Sequence, residues 1–176
     1  MALDMKDHIA AAATKLIFKD KVDKLTVTNV VEECHITRQA FYYHFADIPD
    51  LIRWMLEQQE DNMLEEYLSL GNPEEVIKSF FRLGLNIRPY VVKGIQTNYG
   101  EEIERLMIDY IYRLFEKIIG ETGDFKEYSE LERDLFLNYH SHAFMGVLQS
   151  WPEEKEDNLD EVASVIYGIL CGEISL

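Results

Sequence analysis

Residues 26–45 read Thr-Val-Thr-Asn-Val-Val-Glu-Glu-Cys-His-Ile-Thr-Arg-Gln-Ala-Phe-Tyr-Tyr-His-Phe. The spacing of their apolar residues predicts two short helices, the first after an N-cap at Thr26 and the second opening at Thr37. A turn of three or four residues centred on His35 joins them, at a point where the left-handed backbone usually requires Gly. Two short helices joined in this way are typical of a helix-turn-helix.

The second of these helices begins with side chains that recognise nucleic-acid bases. Arg38 and Gln39 can form bidentate hydrogen bonds with guanine and adenine, and the first residues of a recognition helix make such contacts. Tyr42, Tyr43 and His44 follow, and their polar groups can bond phosphate oxygens. The pattern therefore favours a DNA-binding surface over its alternative, an ordinary pair of packed helices with a polar rim.

Helical periodicity continues through the rest of the chain, and no strand-like alternation of useful length occurs. Further helices are predicted over 48–69, from Pro73 to about Arg88, and over 90–97, 101–119, 127–151 and 158–172. Asp47 is the predicted N-cap of the first of them. The sequence predicts an all-α protein of about nine helices. A three-helix helix-turn-helix domain spans 1–47, and a C-terminal helical bundle domain spans 48–176.

The charge of the chain is strongly acidic and unevenly distributed. Its 176 residues include 33 Asp or Glu and 17 Lys or Arg, for a net charge of −16. Residues 1–50 hold eight of the acidic and six of the basic residues, so the remainder carries −14. Because DNA is a polyanion, we expect only the N-terminal third of the chain to approach it.

The last two predicted helices carry apolar residues on more than one side. They are Leu135, Phe136, Tyr139, Ala143, Phe144, Val147, Leu148 and Trp151 in the first helix, and Leu159, Val162, Val165, Ile166, Ile169 and Leu170 in the second. A helix that is apolar all round is either central in a core or shared with a partner. Because terminal helices of a small chain are seldom central, we expect a homodimer that forms through these two helices.

The N-terminal stretch resembles the tetracycline-repressor (TetR) family of bacterial regulators, including its AcrR-like members. The residues that match the family pattern are Thr26, Val30, Val31, Ile36, Thr37, Phe41, Tyr42, His44, Phe45 and Leu51. The run Phe-Tyr-Tyr-His-Phe, followed by Asp50-Leu51-Ile52 and Trp54, most resembles the branch that contains the activator of the dihydroxyacetone-kinase operon. Two positions depart from the pattern: His35 replaces the turn Gly, and Ile48 replaces a Lys that often holds a phosphate.

This resemblance implies a cytoplasmic, homodimeric transcriptional regulator that binds a near-palindromic DNA operator. By the same resemblance, Thr26 and Thr28 contact the DNA backbone, Thr37, Arg38, Gln39 and Ala40 face the major groove, and Tyr42, Tyr43 and His44 bond phosphates. An unknown small-molecule or protein effector would control operator affinity from the C-terminal domain. Candidates for its pocket, each of which also fits a plain core position, are Phe80, Phe81, Tyr90, Tyr99, Met107, Tyr110 and Tyr139.

Family membership alone favours a repressor. An activator controlled by a partner protein, and a helical adaptor that has lost DNA binding, remain open alternatives. The sequence holds no Ser-His-Asp order and no Gly-rich phosphate loop, so we predict that the protein is not an enzyme. Glu32 and His35 form one Glu-x-x-His, but a di-iron centre needs a second copy, so neither a metal nor a cofactor is predicted.

The composition also favours an intracellular location. The two cysteines, Cys34 and Cys171, show no metal-binding spacing and are expected to be reduced thiols. The longest strongly apolar stretch, residues 162–171, is about half the length of a membrane span. We therefore expect that the protein neither spans nor binds a membrane.

Overall fold

The computed structural model describes residues 4–20, 22, 24–70, 74–82, 84–85, 99–122, 127–151, 158–170 and 173. Across these ranges the backbone forms eight helices and no strand, which confirms the all-α prediction. The helices are α1 (Met5–Thr14), α2 (Val27–Cys34), α3 (Arg38–His44), α4 (Ile48–Leu70), α5 (74–82), α6 (Gly100–Thr122), α7 (Glu130–Ser150) and α8 (Leu159–Leu170). The helix predicted over 90–97 lies outside the described residues.

The two helices of the predicted helix-turn-helix begin at side-chain caps. The hydroxyl of Thr26 accepts the backbone N–H of Asn29 at 3.2 Å, and that of Thr37 accepts the N–H of Ala40 at 3.1 Å. Both Thr residues were predicted to open these helices. Helices of eight and seven residues are not stable in isolation, so α2 and α3 depend on these caps and on tertiary packing.

That packing comes from a core shared by the first four helices. Ile9 of α1, Val30 of α2, Phe41 of α3 and Leu51 of α4 are fully buried in one apolar cluster. α1 packs against both α2 and α3, and α2 packs against α3. A single turn of π-helix, Lys15–Lys19, continues α1 beyond Thr14. The core therefore holds α2 and α3 in a defined geometry.

The described residues divide into two compact units. The first contains the chain up to Gln58 and the start of α6 up to Leu106, and the second contains the remainder. Consequently α4 and α6 each begin in the first unit and end in the second. The domain boundary predicted between residues 47 and 48 stays a prediction.

An aromatic cluster forms part of the core of the second unit. The rings of Phe81 and Phe144 stack with their centroids 5.1 Å apart, and Trp151 lies 5.5 Å from Phe81. At Gly84 the chain passes close to α7, because a Cβ at this position would lie 2.5 Å from Cδ2 of Leu148 and that side chain would have to shift. Among the described helices, none combines the length and the apolar character needed to cross a membrane.

Candidate nucleic-acid interface

The turn between α2 and α3 has the left-handed geometry expected from its place in the sequence. His35 has φ 55° and ψ 39°. Its N–H donates to the carbonyl of Glu32 at 3.3 Å, and the N–H of Ile36 donates to the carbonyl of Val31 at 3.0 Å. These are the two bonds of a Schellman motif. The left-handed backbone costs a non-Gly residue roughly 1–2 kcal/mol, yet the helix-turn-helix geometry is kept.

α3 separates its apolar side chains from its polar ones. Phe41 is fully buried, whereas Arg38 and Gln39 at the start of the helix are exposed. Tyr42 is 53% exposed and Tyr43 is 84% exposed. We use the term helix-turn-helix surface for the exposed residues Thr37, Arg38, Gln39, Tyr42 and Tyr43. The remaining predicted contacts, Thr26, Thr28, Ala40 and His44, are half-buried.

A hydrogen bond links this surface to the preceding helix. Nη2 of Arg38, the first residue of α3, donates to the hydroxyl oxygen of Thr28 in the first turn of α2 at 2.6 Å. Arg38 is the only Lys or Arg between residues 25 and 52. The one permanent positive charge of the motif is therefore held by a neutral side chain.

Two acidic residues of the first unit, Glu33 and Asp47, are engaged in local contacts. Oε1 of Glu33 pairs with Nζ of Lys15 at 2.5 Å, and the hydrogen bond to Glu33 raises the pKa of Lys15 above its ordinary value. Asp47 accepts the backbone N–H of Asp50 at 2.9 Å and so caps α4, as predicted. With so few basic residues, this surface offers a polyanion mainly neutral hydrogen-bonding groups and one guanidinium.

A second set of polar contacts connects the end of the motif to α6. Oδ2 of Asp50 accepts the backbone N–H of Ala46, directly after α3, at 3.0 Å. Oδ1 of Asp50 pairs with Nη1 of Arg53 at 3.2 Å. Nη2 of Arg53 lies 3.6 Å from Oε1 of Glu102 in the first turn of α6. We call this series, from Glu102 to Ala46, the α6–α3 relay.

α7 and α8 expose apolar side chains to solvent. On α7, Leu131, Leu135 and Tyr139 follow one another at intervals of four residues and are 67%, 59% and 70% exposed. This spacing places them on one face of the helix, which we call the α7 row. On α8, Val165 and Ile169 are likewise four residues apart and are 45% and 49% exposed.

The residues predicted to line an effector pocket do not all lie in one environment. Phe80, Phe81, Met107 and Tyr110 are buried in the second unit. Tyr99 is 43% exposed, and Tyr139 belongs to the α7 row. Tyr90 lies outside the described residues. The assignment of a pocket to these positions stays a prediction.

Burial shifts two titratable groups. It raises the pKa of the Cys34 thiol, which is free and lies in the core of the first four helices. It lowers the pKa of His140, whose ring lies 4.1 Å from that of Phe136 on α7. Within the part of the chain that the structure describes, no three His, Cys, Asp or Glu side chains are grouped to hold a metal ion.

Sequence reasoning missed three features of these sites. It named Thr28 and Arg38 separately but not the bond between them. Arg53 and Glu102 were not named, because residues 49 positions apart leave no local signal of their contact. Leu131 was missed although it precedes Leu135 by four residues, a spacing that could have extended the apolar face of α7.

Two family models match the chain. The model described as bacterial regulatory proteins, tetR family, matches residues 9–53, which include the helix-turn-helix surface. The model described as transcriptional regulator C-terminal region matches residues 71–170. The second match spans more than half of the 176-residue chain.

Two relatives with similar sequences are named as HTH-type transcriptional regulators. The chain is 25% identical to the HTH-type transcriptional regulator AcrR of Shigella flexneri, over 77% of this chain but only 59% of that relative. It is 21% identical to the uncharacterized HTH-type transcriptional regulator YvkB of Bacillus subtilis strain 168, over 77% of this chain and 80% of the relative. A solved structure, the dihydroxyacetone kinase operon activator DhaS, shares the fold with a TM-score of 0.65 at 18% identity, over 98% of this chain and 97% of that one.

Proposed function

This chain belongs to the TetR family of bacterial transcriptional regulators, and from that membership we propose that it binds a specific DNA operator as a homodimer and represses transcription. The observation that carries the proposal is the arrangement of α3. Its apolar Phe41 is fully buried while Arg38 and Gln39, which suit guanine and adenine, are exposed at the start of the helix. The proposal implies a cytoplasmic location, since the operator lies there.

In this function Arg38 and Gln39 contact base edges in the major groove, with Thr37 and Ala40 beside them. Tyr42, Tyr43, His44 and Thr26 contact the sugar–phosphate backbone, whereas the hydroxyl of Thr28 already accepts a hydrogen bond from Arg38. Contacts of the first kind specify the sequence, and contacts of the second kind position the protein. Because tyrosine and threonine hydroxyls carry no charge, we expect the salt dependence of binding to be shallow for a DNA-binding protein.

The negative charge of the rest of the chain supports the placement of the DNA contacts on the N-terminal helices. Residues 51–176 carry a net charge of −14 and repel a polyanion. DNA binding is therefore confined to the N-terminal helices, and non-specific binding is weak. Because this repulsion weakens non-specific binding, it raises the ratio of specific to non-specific affinity, which decides occupancy in a genome.

Dimerisation uses the α7 row and the exposed pair of α8. Large apolar side chains that are 45–70% exposed at regular helical spacing mark a surface that another protein covers. A second copy of the chain is the occupant we propose, as the sequence analysis predicted. Two copies would place their recognition helices about 34–36 Å apart on a near-palindromic site.

Control of DNA binding comes from an effector that binds the second unit. The α6–α3 relay supports this part of the proposal, because Arg53 joins the first turn of α6 to the backbone that follows α3. A shift of α6 would act on the recognition helix through these contacts. An effector that binds one arrangement of α6 more tightly would thereby change operator affinity.

The test is selection of bound duplexes from a random DNA pool, followed by titration of the winner at two salt concentrations. We expect a near-palindromic duplex bound in a salt-dependent way. Arg38→Ala should weaken binding by about 1–3 kcal/mol and relax the preference at one base pair of each half-site. Arg82→Ala removes the same charge from an exposed position in the second unit and serves as the control.

Two results would contradict the proposal. If no duplex is enriched at low salt, with or without cell extract as a source of effector, the chain is an adaptor rather than a DNA-binding regulator. If Arg38→Ala and Arg82→Ala weaken binding equally, the α3 surface does not contact the bases. When a site is selected, its position relative to promoters distinguishes a repressor from an activator.

A further inference from the structure

The bond between Arg38 and Thr28 gives one residue of the helix-turn-helix surface a fixed orientation. We propose that Thr28 is a positioning residue, which holds the Arg38 guanidinium for recognition of a guanine in each half-site of the operator. The inference rests on the proposed function and deepens it, because it states what the operator contains and which residue outside α3 helps to select it.

The geometry of the bond leaves Arg38 able to recognise a base. A guanidinium presents two edges that can bind bidentately, one formed by Nε and Nη2 and the other by Nη1 and Nη2. Nη2 contributes one N–H to each edge. Since Thr28 accepts one N–H of Nη2, the other edge stays complete, and a complete edge matches the O6 and N7 acceptors of guanine.

The chemistry of Thr28 suits this task better than that of an acidic residue. A carboxylate would also hold the guanidinium, but it would neutralise its charge and repel the phosphates. The hydroxyl of Thr28 is neutral, so the full positive charge of Arg38 remains available to DNA. This matters because Arg38 is the only Lys or Arg between residues 25 and 52.

The fold fixes Thr28 where it can act. It lies in the first turn of α2, two residues after the N-cap Thr26, and it is half-buried. α2 and α3 pack together, with Val30 and Phe41 fully buried in the shared core. An exposed Arg side chain otherwise samples many rotamers, and restricting them before binding reduces the entropy lost on contact with the base.

The test compares Thr28→Val with Thr28→Ser in the full-length chain. Valine keeps the shape of threonine but removes the acceptor, whereas serine keeps the acceptor. Affinity is measured for the selected operator and for duplexes in which the guanine bound by Arg38 is replaced. We expect Thr28→Val to lose roughly 3- to 10-fold in operator affinity, as for one hydrogen bond to a charged group, and to lose discrimination at that guanine alone.

Three controls define the expected result. Thr28→Ser should bind like the unchanged protein. The slope of affinity against salt should be the same for Thr28→Val and the unchanged protein, since the variant changes no charge and keeps Arg38. In an Arg38→Ala background Thr28→Val should have no further effect, because the group that it positions is absent. Unchanged helicity and thermal unfolding of the valine variant show that it folds.

Other outcomes overturn the inference. If Thr28→Val weakens binding to all duplexes equally, Thr28 contacts the DNA backbone and does not position Arg38. If the effects of Thr28→Val and Arg38→Ala add, the two residues act separately. Both results leave the proposed DNA-binding function intact. The proposed function and this inference are overturned together if the unchanged protein selects no duplex, or if Arg38→Ala and Arg82→Ala weaken binding equally.

Discussion

α3 and α7 both expose tyrosines, but the side chains that surround these tyrosines differ between the two helices. On α3, Tyr42 and Tyr43 lie beside Thr37, Arg38 and Gln39, all of which are polar. On α7, Tyr139 continues a row of two leucines. The same side chain therefore belongs to two surfaces of opposite chemistry, one suited to a hydrogen-bonding polyanion and the other to an apolar partner.

The comparison shows that exposure of an aromatic ring does not by itself identify a partner. A tyrosine has an apolar ring and a polar hydroxyl, and its neighbours decide which of the two is used. Charge makes the same distinction, because the first 50 residues carry −2 and the remainder carries −14. The predictions that follow separate the two surfaces, beginning with the largest expected effect.

Phe41→Ala should remove DNA binding and leave the dimer. Phe41 is fully buried beneath the helix-turn-helix surface, and truncating such a residue costs about 3–5 kcal/mol. The matched variant, Phe81→Ala, removes a fully buried ring from the second unit and should abolish dimerisation, which also weakens operator binding because the operator is bound by the homodimer. Sedimentation and operator titration measure the two properties. If Phe41→Ala also dissociates the dimer, the two surfaces do not fold independently.

Tyr139→Asp and Tyr43→Asp make the same change on the two surfaces. Tyr139→Asp places a charge in the α7 row and should weaken dimerisation by about 2 kcal/mol or more, as for a central interface residue. Tyr43→Asp repels DNA phosphates and should weaken operator binding with no change in the dimer dissociation constant. Sedimentation equilibrium and DNA titration check both variants. Equal effects of the two variants on dimerisation would contradict the assignment of the α7 row.

Gly146→Glu adds a charge to α7 without removing any contact. Gly146 is an exposed residue on the same face as the α7 row, and a Cβ there meets no atom within 4 Å. The added carboxylates repel one another across a dimer interface, so self-association should fall by roughly 10-fold. Gly120→Glu is the control, because Gly120 of α6 is also exposed with open space at its Cβ. A dimer that tolerates both changes equally does not form through this part of α7.

His140 provides a pH test of the packed side of α7. Burial lowers the pKa of His140 below its ordinary value of 6.5, so the folded chain favours the neutral imidazole. The unfolded chain then binds more protons in acid, and the free energy of unfolding should fall as pH drops below about 6.5. Urea unfolding at pH 7.5 and 5.5 measures the change, which His140→Gln should reduce. An identical pH dependence in the variant would show that His140 does not contribute.

The parts of the structure that local chemistry determines could be predicted from the sequence. The caps at Thr26 and Thr37, the left-handed turn at His35 and the burial of Phe41 all follow from residues within a few positions of one another. Each depends on backbone hydrogen bonds or on helical spacing, and both act over short distances along the chain.

The parts that depend on packing between distant residues could not be predicted. The bond from Arg38 to Thr28 requires two helices at one particular angle, and the pair of Arg53 and Glu102 requires α4 and α6 to meet. The exposure of Tyr139 was equally hidden, since a helix that is apolar on more than one side does not reveal which side faces inward. The sequence placed Leu135 and Tyr139 among the apolar residues of this helix but did not show that they are the exposed ones.

The sharing of α4 and α6 between the two compact units limits how this chain can be recombined with its relatives. A crossover before α4 would exchange the recognition helix and leave Asp50, Arg53 and Glu102 within one parent. A crossover after Gln58, where the first unit leaves α4, would take Arg53 from one parent and Glu102 from the other. Each junction therefore separates residues that contact one another: the earlier one divides the core that Leu51 of α4 shares with α1–α3, and the later one divides the pair of Arg53 and Glu102.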